Sequence, residues 1–103
     1  MSLEDITGTI AGVFEGKDSG LGKTFKIDFG DDGAVYIDAS SAPNSVSNDS
    51  GDADVTMKIS LEDYGKLLAG ELDGQMAFMT GKLKVEGDLN GAIALGSYMG
   101  SQN

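Results

Sequence analysis

Residues 53–88 read ADVTMKISLEDYGKLLAGELDGQMAFMTGKLKVEGD, and this stretch decides the fold. From Ala53 to Ile59 the chain alternates, with Val55, Met57 and Ile59 on one face, as a half-buried strand does. Ser60 with Asp63 three residues on resembles a capping box and opens a helix carrying Leu61, Tyr64, Leu67 and Leu68 on one side. Gly70 suits that helix's C-terminal cap. Gln75 to Met79 adds one helical turn ending at Gly81. Leu83 and Val85 then alternate with Lys82, Lys84 and Glu86 in another strand. Strand, helix, turn and strand all turn their apolar residues the same way.

Working outward, Ser2 and Asp5 form a second capping-box pattern ahead of a helical stripe of Leu3, Ile6, Ile10 and Val13 or Phe14, predicting a short helix over 2–14. Residues 16–22 read as a loop. Phe25, Ile27 and Phe29 alternate with Thr24, Lys26 and Asp28, and Val35, Ile37 and Ala39 oppose Tyr36 and Asp38. Between these strands Gly30-Asp31-Asp32-Gly33 is a turn, because Asp-Gly tolerates positive φ. The polar stretch from Ser40 to Asp52 holds a short edge strand around Ser45 to Ser47, and Leu89, Ala92, Ile93 and Met99 fit a closing helix. Strands with one polar face each predict a sheet wet on one side and covered by helices on the other, an α+β fold.

Composition narrows the function. The 103 residues suit a single domain, with 40% apolar residues, seventeen acids and seven lysines giving a formal net charge of −10. There is no arginine, which argues against nucleic acid as a partner. Without His or Cys the chain has neither an activator for a Ser or Thr nucleophile nor a thiolate metal ligand. The acidic first residues lack a basic n-region, no apolar run approaches roughly 18 residues, and the last three are Ser101-Gln102-Asn103. A cytoplasmic location is expected.

Chemical motifs fail on inspection. Gly20-Leu21-Gly22-Lys23-Thr24 resembles the end of a phosphate-binding loop, but it runs into a strand where that motif needs a helix N-terminus. Asp49, Asp52 and Asp54 cluster, yet counting a calcium loop from Asp52 puts Thr56 and Met57 where an oxygen ligand and a glycine are needed. A hydrolase using Asp52 and Asp54 as a carboxylate pair is the remaining catalytic reading, and solvated turn positions explain these acids more simply. No metal and no cofactor are expected. What remains is an inward apolar set rich in methionine: Met57, Met76, Met79 and Met99 beside Phe25, Leu68 and Phe78. On pattern alone this is an ordinary core, with a plastic cavity as the alternative.

The segments Ala53 to Asp63, Lys66 to Gly70 and, above all, Ala77-Phe78-Met79-Thr80-Gly81-Lys82-Leu83-Lys84-Val85-Glu86-Gly87-Asp88 resemble the sterol carrier protein type 2 family over residues 20–99. Pro43-Asn44 fits the same pattern. Four features differ from it: a shorter first helix, Gly74 where proline is common, Thr80 where glutamine is common, and a closing segment without the usual lysine. The resemblance implies a five-stranded mixed sheet covered on one face by helices, with an apolar tunnel between. It also implies a non-enzymatic carrier of sterols, fatty acids, fatty acyl-CoA or phospholipids. Phe25, Ile27, Val35, Ile37, Met57, Leu83 and Val85 of the sheet would then face Leu68, Met76, Phe78, Met79, Ile93 and Met99 of the helices across the lipid. The alternative is an accessory or interaction module for a lipid-metabolic enzyme, with no ligand of its own. Transient membrane contact is the one macromolecular encounter this reading admits. Lys26, Lys58 and Lys84, on the predicted outer face, would then offer either a basic patch or a solvated face balanced by Asp28, Asp38 and Glu86.

Overall fold

The computed structural model describes residues 2–49 and 51–100. Helix α1 (Leu3–Phe14) is followed by strands β1 (Thr24–Asp28), β2 (Ala34–Asp38), β3 (Ser45–Ser47) and β4 (Val55–Lys58). Helices α2 (Leu61–Leu68) and α3 (Gly74–Met79), strand β5 (Lys84–Gly87) and helix α4 (Leu89–Gly100) complete the chain. The five strands form one sheet in the order β3-β2-β1-β4-β5. It is mixed: β1 and β4 run parallel, and every other neighbouring pair is antiparallel. The α+β class and the five-stranded mixed sheet expected above are what the chain adopts.

Local chemistry places each element. The Ser2 hydroxyl accepts from the Asp5 N–H while the Ser2 N–H donates to the Asp5 carboxylate, a reciprocal box that starts α1. Ser60 likewise accepts from the Asp63 N–H at the start of α2. Gly70, at φ 77°, follows the end of α2 in a backbone conformation that suits glycine. The expected turn between β1 and β2 is a short 3₁₀ turn over Gly30–Asp32, closed by the Phe29 N–H donating to the Gly33 carbonyl at 2.8 Å.

Register fixes two apolar rows across the inner face. One runs Val46, Ile37, Phe25, Val55 and ends at Gly87; the other runs Val35, Ile27, Met57, Val85. α1 packs over β2 and β3, and α4 over β4 and β5. Ile6, Ile10 and Phe14 of α1 join Phe25, Ile37, Val55 and Leu95 in the buried core. The stripe expected on α1 therefore splits, with Phe14 sealed and Val13 only half-buried. Two glycines allow close approach. A Cβ on Gly87 (φ 92°) would run into the Asp54 carbonyl, and one on buried Gly91 would stand 2.8 Å from the Val55 side chain.

On the outer face Lys26, Lys58 and Lys84 do fall on neighbouring strands, but they interleave with acids. Lys58 lies opposite Asp28 on one side and Lys84 on the other, and it pairs with Glu86 at 3.3 Å. A solvated, mixed-charge surface results.

Candidate functional site: an apolar cavity between sheet and helices

Neither α2 nor α3 packs onto a strand as closely as α1 and α4 do. A cavity of about 820 Å³ occupies the space this leaves. Protein interiors seldom hold a void larger than a water molecule, so this is a feature of the architecture and not a packing defect. Its volume falls within the range of sites for small organic ligands.

The floor is the second apolar row without Val35: Ile27, Met57 and Val85, extended by Ile59 and Leu83. Tyr64, Leu67 and Leu68 of α2 border it on one side, with Gly74, Gln75 and Phe78 of α3 beside them. α4 contributes Leu89, Ala92, Ile93, Leu95 and Met99 with Gly96 and Ser97, and α1 reaches in with Thr9 and Val13. None of these residues is charged. Leu68, Phe78, Leu89 and Ile93 both border the cavity and are exposed, so they mark its mouth.

The expected site residues thus divide. Ile27, Met57, Leu68, Phe78, Leu83, Val85, Ile93 and Met99 border the cavity. Phe25, Val35 and Ile37 do not: they are fully buried in the packed core beneath α1, on the same face of the sheet but away from the gap. Met76 and Met79 also stand apart from it. α3 turns Gln75 and Phe78 toward the cavity, so Met76 and Met79 face solvent, Met79 with 72% of its surface exposed. Reading the sequence missed Thr9, Gln75 and Ser97 altogether, because isolated polar residues on short helices carry no periodic signal.

The acidic residues considered for catalysis take part in structural contacts, Asp54 through its carboxylate and Asp52 through its main chain. Asp54 accepts from the Thr24 N–H at 2.9 Å and from the Thr24 hydroxyl, clamping the starts of β1 and β4 together. The Asp52 carbonyl accepts from the Tyr36 hydroxyl at 2.9 Å. Lys23, from the phosphate-loop-like segment, pairs with Asp88 at 3.1 Å just ahead of α4. No group of acidic residues able to hold a metal ion occurs among the described residues.

Charge is partitioned around the site. From Gly74 onward the only charged residues are Lys82, Lys84, Glu86 and Asp88, which cancel, so the net charge of −10 belongs to the first 73 residues. The wall built by α3 and α4 is electrically neutral.

The sheet, with helices on one face, thus leaves an apolar, uncharged cavity between the layers. Residues 16–100 match the model of the SCP-2 sterol transfer family, and the chain belongs to that family. It is 36% identical over 81 residues to hydroxysteroid dehydrogenase-like protein 2 of Bos taurus, a match covering 77% of this chain and 19% of that protein. The chain thus spans about a fifth of the length of such relatives. Among solved structures it superposes on the sterol carrier protein domain 2 of Helicoverpa armigera with a TM-score of 0.68 and 27% identity, covering 90% of this chain and 81% of that one. Apo sterol carrier protein 2 of Yarrowia lipolytica shares the fold at a TM-score of 0.70 and 24% identity, over 90% of this chain and 85% of that one.

Proposed function

We propose that this chain is a non-enzymatic lipid carrier that holds one apolar chain or ring system in the cavity between sheet and helices. The observation supporting this most directly is the cavity itself, about 820 Å³ and bordered by no charged residue. Each methylene removed from water contributes about 0.8 kcal/mol, so ten give a gross gain of about 8 kcal/mol before ordering costs. Micromolar affinity with weak chain-length selectivity follows. Ligand enters at the mouth between α2, α3 and α4, where Leu68, Phe78, Leu89 and Ile93 are exposed. The neutral α3–α4 wall lets that mouth approach a bilayer that the acidic remainder of the chain would avoid if anionic. A cytoplasmic setting and delivery of lipid to a partner enzyme are consistent with this role.

The test uses two residues of α3. Delipidated protein is titrated with Nile red, a neutral apolar fluorophore. Saturable binding is expected, weakened tenfold or more by Phe78→Asp and left nearly unchanged by Met79→Asp. Both side chains are exposed, Phe78 at 45% and Met79 at 72%, so both variants should remain folded, which a urea titration of each checks. Absence of saturable binding in the unmodified protein would sink the carrier reading and leave the accessory module.

A further inference from the structure

Tyr64 differs from every other polar group at the cavity. The Thr9 hydroxyl donates to the Asp5 carbonyl at 3.1 Å, and Thr9, Gln75 and Ser97 are exposed. Tyr64 is only 7% exposed, held by α2 with its ring edge against Phe29 at 5.4 Å between centroids. A buried tyrosine normally has a hydrogen-bond partner for its hydroxyl. Here no described residue supplies one. Among the described residues no fully enclosed side-chain oxygen lacks a partner, so this hydroxyl touches open space, and Tyr64 is one of the residues that border the cavity. Burial raises the phenol's pKa above its ordinary range, so the group stays neutral and able to donate.

We propose that the Tyr64 hydroxyl is the polar anchor of the lipid site, and that it selects a lipid whose buried end carries a neutral oxygen, such as an alcohol or carbonyl, over one ending in an ionised carboxylate. The inference rests on the carrier reading and specifies its ligand. A neutral oxygen brought to Tyr64 gives the hydroxyl a partner that no described residue supplies, and it loses little on leaving water. A carboxylate brought there would be desolvated with no cation on the cavity lining to balance it. An ionised lipid therefore keeps its head at the mouth and leaves the phenol unmet.

Three probes of equal chain length separate these cases: 1-dodecanol, dodecanoate at pH 8 and dodecane, each delivered from cyclodextrin and measured by displacement of Nile red. The unmodified protein should bind dodecanol more tightly than dodecanoate. Tyr64→Phe should weaken dodecanol by about five- to tenfold, the effect of one net hydrogen bond, while changing dodecanoate and dodecane less than twofold. Because the hydroxyl has no partner among the described residues, the same variant should melt at or above the temperature of the unmodified protein. Equal losses for all three probes, an unchanged affinity for dodecanol, or a preference for dodecanoate would each overturn the anchor. If none of the three displaces Nile red, the carrier reading itself fails, and the anchor with it.

Discussion

Phe25 and Ile27 stand two residues apart on β1, point the same way and are both essentially inaccessible to solvent, at 0% and 1% exposure. Only Ile27 borders the cavity. Phe25 lies in the row of Val46, Ile37 and Val55, which α1 and α4 press shut. Ile27 lies in the row with Met57 and Val85, over which α2 and α3 stand off. The two rows have the same aliphatic character. What separates them is the helix above: α1 packs closely on its part of the sheet, whereas α2 and α3, of eight and six residues, roof the other part together with α4 without filling it. One half of the inner face stabilises the fold and the other is left for a ligand.

The sharpest way to break this contrast is to truncate one residue from each row. Phe25→Ala removes a ring from close-packed surroundings and should cost about 3–5 kcal/mol, a large part of the stability of a small domain. Met57→Ala enlarges a space that already exists, and its side chain is half-buried, so about 1–2 kcal/mol is expected. Urea titration of both variants measures the difference. Equal losses would mean that the second row is as tightly packed as the first.

This division also marks where the sequence stops being legible. Period-2 alternation assigned Phe25, Ile27, Val35, Ile37 and Met57 to one face correctly, because side-chain direction along a strand is a local property. It could not distinguish Ile27 from Phe25, because that depends on which helix crosses above, a property of the tertiary arrangement. Helix starts at Ser2 and Ser60 were readable because capping is a short-range hydrogen bond. The faces of α3 were not: six residues span less than two turns, too few for Met76 and Met79 to be told from Phe78 by spacing. Asn44 belongs to the Pro43-Asn44 pattern, but its burial was not readable, for another reason. It sits in a polar loop, yet it is 2% exposed, its amide accepting from the Ser19 N–H and donating to the Ser41 carbonyl. Tyr64 was placed on the apolar side of its helix, and that no described residue pairs its hydroxyl is visible only in three dimensions.

A smaller perturbation probes the end of the closed row. Gly87 has φ 92° and lies opposite Val55, with the Asp54 carbonyl where a Cβ would go. Gly87→Ala combines backbone strain with that collision and should cost about 2 kcal/mol. Because β5 would have to move away from β4, Val85 would move with it, so Nile red affinity should fall along with stability. A loss of stability with unchanged affinity would show that the floor of the cavity is independent of the closed row.

The smallest effect concerns the joint between the sheet and α4, where both rows end. The Asp88 carboxylate is held below its ordinary pKa of 3.8, first by its hydrogen bond to Lys23 and then by the backbone N–H groups of Gly91 and Asn90. The folded state thus favours the ionised form more strongly than the unfolded chain does. Stability from this source is fully present above the ordinary value of 3.8 and is lost as pH falls through it toward the depressed folded value. Asp88→Asn should therefore lower the melting temperature slightly at pH 6, and the two proteins should converge as the pH drops below about 3.8. Both side chains of the Lys23–Asp88 pair are about 40% exposed, so added salt should shrink the gap at pH 6 by screening the pair. A difference that persists unchanged at pH 2.5 would mean that Asp88 holds α4 through its shape and hydrogen bonds, with no contribution from its charge.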